Sequence, residues 1–191
     1  MNQKSYWSQF TKPSCYPSHC NCEALTDSWI EQPSATISSL PLILLGLWII
    51  YTSLRVDRKL ICMGSSIVFL GLVSTAAHGT FTAFALHLDF LGILLCLSWV
   101  AIYCSGIPWG KNWIILWSVL TLICFWITYL FEGYRIYFCI MYFLFVFILW
   151  IKWYKKNTLG KKDFVKAYSI LAVSALLFYI DENKIWCTNP Q

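Results

Sequence analysis

The chain has 191 residues, with 14 Lys and Arg against 9 Asp and Glu, and a formal net charge of +5. It is 59% hydrophobic and 12% charged, about half the charge density of roughly 25% with which a soluble domain meets water. That balance excludes an ordinary water-soluble globule, excludes disorder, which needs the opposite composition, and leaves no basic patch of the kind nucleic acid requires. An integral membrane protein with several spans remains.

Residues 1–36 are polar and rich in Cys, Ser and Pro, with no apolar core, so the start does not read as a secretory signal. They are expected to form a polar arm, and residues 37–191 a single helical bundle. A membrane helix needs roughly 20 mostly apolar residues. Charge-free stretches run over 33–54, 60–88, 90–110 and 112–131, with shorter ones at 136–151 and 167–180. These predict six helices, at about 37–54, 60–78, 84–104, 112–131, 134–152 and 164–181. The last two reach membrane length only where Arg135, Lys152 or Lys166 snorkels to the interface. The runs are continuously apolar rather than alternating, which favours helices over a membrane barrel. Pro41 and Pro108 lie near predicted span ends and no repeat is visible, which speaks against a transporter built on broken helices.

Basic residues set the expected orientation. The loops after the first, third and fifth predicted helices hold Arg55, Arg58, Lys59, Lys111, Lys152, Lys155, Lys156, Lys161, Lys162 and Lys166; the opposite side holds only Lys4, Lys12, Arg135 and Lys184. The N-terminus and residue 191 are therefore expected on the non-cytoplasmic side of a multi-pass protein. The same side collects Cys15, Cys20, Cys22 and Cys187, where disulfides persist. A zinc cluster of Cys15, His19, Cys20 and Cys22 is the rival reading, although its spacings match no standard knuckle. Cys20-Asn21-Cys22 is not the C-x-x-C of a thiol oxidoreductase. Cys62, Cys96, Cys104, Cys124 and Cys139 fall in or beside helices and read as small apolar fillers.

The informative polar stretch is Ser74-Thr75-Ala76-Ala77-His78-Gly79-Thr80, followed by His87-Leu88-Asp89. Ser74 and His78 share one helix face near the end of the second helix, and a short turn would let Asp89 face His78. An ionisable group at membrane depth is costly and reads as functional and paired inside the bundle. The plain alternatives are that Asp89 caps the third helix, Ser74 bonds its own backbone, and His78 and His87 sit in headgroup water. A serine triad fits poorly, because hydroxyl and imidazole stand side by side on one helix and no G-x-S-x-G elbow is present. A metal site fits better, with His78 ligating zinc and Asp89 handling a proton. Catalytic zinc takes three protein ligands, and the chain has 3 histidines, of which His19 lies in the arm.

These residues resemble the alkaline ceramidase family, within the membrane hydrolases that include the progestin and adiponectin receptors. Cys22-Glu23 and Trp29-Ile30-Glu31-Gln32-Pro33-Ser34-Ala35-Thr36-Ile37-Ser38-Ser39 resemble the family's opening block. Ser74, His78 and Asp89 match its S-x3-H…D pattern, and Asp181-Glu182-Asn183-Lys184-Ile185-Trp186-Cys187 resembles the segment after the sixth helix. The resemblance implies His78 as a zinc ligand, Ser74 beside the metal near the zinc-bound water or the developing oxyanion, Asp89 in proton transfer, a Cys22–Cys187 disulfide, and Glu23, Asp27 and Glu31 as candidate calcium ligands. It implies an all-α bundle and zinc-assisted cleavage of the amide of ceramide or a related N-acyl lipid in the bilayer. Two departures stand out: the family's first-block Asn is Ala35, and the seventh helix, whose H-x3-H supplies the second and third zinc ligands, would begin where the chain ends at Gln191. The expected architecture is six spans of a seven-helix plan. The alternative function is an inactive lipid-binding or receptor-like protein on the same scaffold.

Overall fold

The computed structural model describes residues 6–12, 25–26, 28–55, 57–106, 110–131, 135–156 and 176. A 3-10 turn, Tyr6–Gln9, precedes five α-helices: α1 (Pro33–Ser53), α2 (Arg58–Thr80), α3 (Ala83–Ser105), α4 (Lys111–Leu130) and α5 (Arg135–Lys156). No strand occurs among the described residues. The first four helices are long and apolar enough to cross a membrane, and α5 carries a shorter apolar stretch over Ile140–Trp153. The predicted helix at 164–181 lies outside the described residues apart from Leu176, so five of the six predicted helices are seen and the six-of-seven plan is not.

Helix ends depart from the apolar stretches for local reasons. α1 begins at Pro33, four residues before the predicted start, because proline suits the first helical turn, where no N–H partner is required. Pro41 therefore falls inside α1 rather than near its end, and the Ile37 carbonyl loses its usual N–H partner. α2 starts at Arg58 because the Asp57 carboxylate caps it, accepting from the Lys59 N–H at 2.8 Å. It stops after Thr80, where Phe81 takes a left-handed φ of 47° with its ring buried.

The helices follow one another around α3, which meets α2, α4 and α5. Leu94, Leu97 and Ala101 of α3 form a core with Cys124 of α4 and Tyr142 and Val146 of α5. The Ser98 hydroxyl lies 2.9 Å from the Tyr142 hydroxyl inside that core, which leaves neither polar group stranded. The outward faces carry Leu44, Trp48 and Tyr51 of α1, Ile115, Leu122 and Trp126 of α4, and Met141 and Ile148 of α5, all exposed. Such apolar outer faces suit hydrocarbon rather than water. Buried hydroxyls bond back to their own helices, as Thr36 does to Gln32 at 2.7 Å and Thr121 to Trp117 at 2.8 Å, because lipid supplies no partners.

α1 and α2 pack backbone to backbone. A Cβ on Gly46 would stand 2.7 Å from the Gly64 carbonyl oxygen and 2.7 Å from the Val68 nitrogen, and one on Gly64 would stand 2.8 Å from the Gly46 oxygen. Backbone atoms cannot swing aside, so small residues are required at this crossing. Gly64→Val is expected to force the helices apart at a cost of about 1–3 kcal/mol. The check is the unfolding temperature in detergent, and an unchanged midpoint would contradict the close approach.

Candidate functional site

The polar residues of interest gather where α1 begins, α2 ends and α3 begins. The last four carbonyls of a helix have no partner within it. In α2 these belong to Ala77, His78, Gly79 and Thr80, and each finds a donor from elsewhere. Phe81 N–H donates to Ala77 at 2.8 Å, Gln32 N–H to His78 at 3.1 Å, and Glu31 N–H to Gly79 at 3.0 Å. The Lys12 ammonium donates to the Thr80 carbonyl at 3.3 Å. The segment before α1 thus seals the end of the helix that carries Ser74 and His78. On the α3 side, the Thr11 carbonyl accepts from Ala83 N–H at 2.9 Å.

Side chains reinforce this seal. Lys12 Nζ lies 2.6 Å from Glu31 Oε1, with the two side chains only 13% and 4% exposed. The Trp7 indole N–H donates to the Trp29 carbonyl at 2.7 Å, and the two rings lie 5.2 Å apart. Gln32 is fully buried, and its Oε1 lies 2.7 Å from His78 Nδ1. Gln32 is the N-cap residue of α1 yet makes no side-chain capping bond there; its amide reaches across to α2 instead.

One turn further into the bundle, Ser74 is buried between α1 and α3. Its Oγ lies 3.1 Å from the Ser39 hydroxyl, and the Asp89 carboxyl of α3 is a neighbour of Ser74. One carboxyl oxygen, Asp89 Oδ1, is buried and has no hydrogen-bond partner among the described residues. Ser39, Ser74 and Asp89 therefore form a chain of polar groups across three helices. Asp89 lies seven residues beyond Thr82, the residue that caps α3 by accepting from Ala85 N–H at 3.4 Å, so the capping alternative for Asp89 does not apply. The Ser74 hydroxyl likewise meets Ser39 of α1 rather than standing as a purely local back-bond.

The remaining predicted residues separate. His87 is half-buried, with Nδ1 2.7 Å from the Ala83 carbonyl and its ring edge-on to Tyr129 at 5.3 Å, so it serves packing rather than this cluster. Glu31, a candidate calcium ligand, has a lysine at its carboxylate. Glu23, Asp27, Cys22 and Cys187 lie outside the described residues, as do Cys15, His19 and Cys20. Gln32, Ser39 and Lys12 join the site although nothing in the chain's periodicity marks them. Gln32 and Ser39 fell within the block that resembles the family's opening, which gave neither residue a role.

Among the described residues, the surroundings of His78 show one feature that a zinc-bound imidazole would have. Metal-bound imidazoles characteristically give their second ring N–H to an outer acceptor, and Gln32 Oε1 stands at that position. Asp89 Oδ1 is a carboxylate oxygen still lacking a partner. The described residues hold no group of three His, Cys, Asp or Glu placed around one point, so His78 would be one ligand and the others would come from outside them. Compared with known proteins, the chain matches no protein-family model and no curated protein.

The Lys12–Glu31 pair gives a direct test of the seal. Lys12→Met would strand a buried carboxylate, at a cost of about 3–5 kcal/mol. Adding Glu31→Gln is expected to restore much of that loss. Unfolding in detergent reads both, and equal losses in the single and double variants would show that the two groups are not coupled.

Proposed function

We propose that this chain is a membrane-embedded hydrolase of the ceramidase type, cleaving the amide bond of ceramide or a related N-acyl lipid. The observation that supports the reading is the polar cluster of Ser39, Ser74 and Asp89, with the buried Asp89 Oδ1 lacking a hydrogen-bond partner among the described residues, one turn from an imidazole held at Nδ1. An ionisable group at this depth is expensive to keep, and a polar atom buried without a partner calls for a use. In the proposed orientation this end of the bundle faces away from the cytoplasm. The amide of an N-acyl lipid lies just below the headgroups, at the depth of His78, while its tails enter the apolar bundle.

In the reaction, water adds to the amide carbonyl carbon, the C–N bond breaks, and a fatty acid and an amine leave. Zinc, when bound, would supply Lewis acidity, polarising the carbonyl and lowering the pKa of water from 15.7 to about 7. His78 would hold the metal, its ring steadied by Gln32. Asp89 would take the water proton at Oδ1 and return it to the leaving nitrogen. Ser74 would donate to the other Asp89 oxygen and so keep Oδ1 turned to the reacting atoms. Calcium on Glu23 and Asp27, with the Glu31 carboxylate taken by Lys12 instead, and a Cys22–Cys187 disulfide belong to the same proposal as devices that fasten the arm.

The test is zinc content and fatty-acid release from ceramide by the purified protein. Wild type is expected to hold zinc and release fatty acid. His78→Ala should lose both, while Asp89→Asn should keep the metal and lose about 100-fold or more in rate. Wild type that holds no zinc and releases nothing, yet still binds ceramide, would establish the alternative of a non-enzymatic lipid-binding scaffold.

A further inference from the structure

We infer that Gln32 is the positioning residue of His78, accepting from Nδ1–H so that the neutral ring presents Nε2 as its basic nitrogen. Two bonds of one residue support this. The Gln32 backbone N–H holds the His78 carbonyl at 3.1 Å, and the Gln32 amide oxygen meets His78 Nδ1 at 2.7 Å. A single residue thus fixes both the backbone and the ring of the histidine. An amide oxygen has no proton to give, so the ring nitrogen facing it carries the hydrogen. In a neutral imidazole the lone pair then resides on Nε2.

Gln32 is itself immobilised. It precedes Pro33, which disfavours helical backbone at Gln32 and holds it extended, at φ −127° and ψ 82°. Its carbonyl accepts from Thr36 N–H at 3.0 Å and from the Thr36 hydroxyl at 2.7 Å. Its side chain is fully buried, so water does not compete for the amide. The usual N-cap residues are Ser, Thr, Asp and Asn, which turn their side chains back onto the helix. Glutamine is too long for that role, and its extra methylene carries the amide over to α2.

The consequence for metal binding rests on the reading of His78 as a zinc ligand, but the tautomer does not. The experiment uses full-length protein in detergent with 15N-labelled histidine, the His78 signal being identified by its loss in His78→Gln. Wild type is expected to show a protonated Nδ1 and an Nε2 that carries no proton. Gln32→Glu keeps an acceptor and should keep that state. Gln32→Met has similar length and no acceptor; it should give mixed tautomers and weaken zinc binding about 10–100-fold. A wild-type ring protonated at Nε2, or a Gln32→Met protein with tautomer and zinc affinity unchanged, would overturn the inference. Should Gln32→Met fail to fold, the wild-type and Gln32→Glu spectra still decide. The expected tautomer in a protein that takes up no zinc would uphold Gln32 as the positioning residue and overturn the metal reading instead.

Discussion

The end of α2 has to find four hydrogen-bond donors, and the rest of the site follows from where it finds them. A helix ending near the edge of the hydrocarbon has little water to satisfy its carbonyls. Here the donors are Phe81, Gln32, Glu31 and Lys12, and three of these four residues belong to the polar segment before α1. Satisfying α2 therefore draws that segment down onto the helix. The buried Lys12–Glu31 pair and the Gln32–His78 contact are consequences of the same docking. Backbone capping and side-chain placement are one event in this protein.

The glycine crossing of α1 and α2 makes that docking possible. Gly46 and Gly64 let the two backbones approach until no Cβ would fit between them. Further along the same two helices, Ser39 reaches Ser74 at 3.1 Å. α3 closes the third side by placing Asp89 beside Ser74. The polar chain is thus a by-product of close helix packing, and it stays polar because each hydroxyl has a neighbour. Asp89 Oδ1 is the atom that this packing leaves without a hydrogen-bond partner among the described residues, and it is the atom to which the proposed chemistry assigns work.

The helical, membrane-suited character of the chain was legible in the sequence because hydrocarbon demands long uncharged runs, and such runs are visible without any knowledge of neighbours. The ends were less legible. Pro33 and Asp57 start α1 and α2 outside the apolar stretches, since capping is a local matter of one or two side chains. Ser74, His78 and Asp89 stood out because ionisable and hydroxyl groups are rare in such runs. Gln32 and Ser39 did not, because a glutamine before a proline and one serine among several look like ordinary helix-entry residues. Their roles depend on what lies opposite them.

Alone, the amino-acid order determined which segments shun water and how Ser74 and His78 share a helix face, since both depend on local spacing and transfer free energy. Tertiary structure decided that Asp89 lies beside Ser74 while Thr82 caps α3, that Gln32 reaches for His78, and that Glu31 is met by Lys12. Those partnerships join residues many positions apart in the chain. They are chosen by which helices can approach closely and by which buried carbonyls and carboxylates must be satisfied once they have.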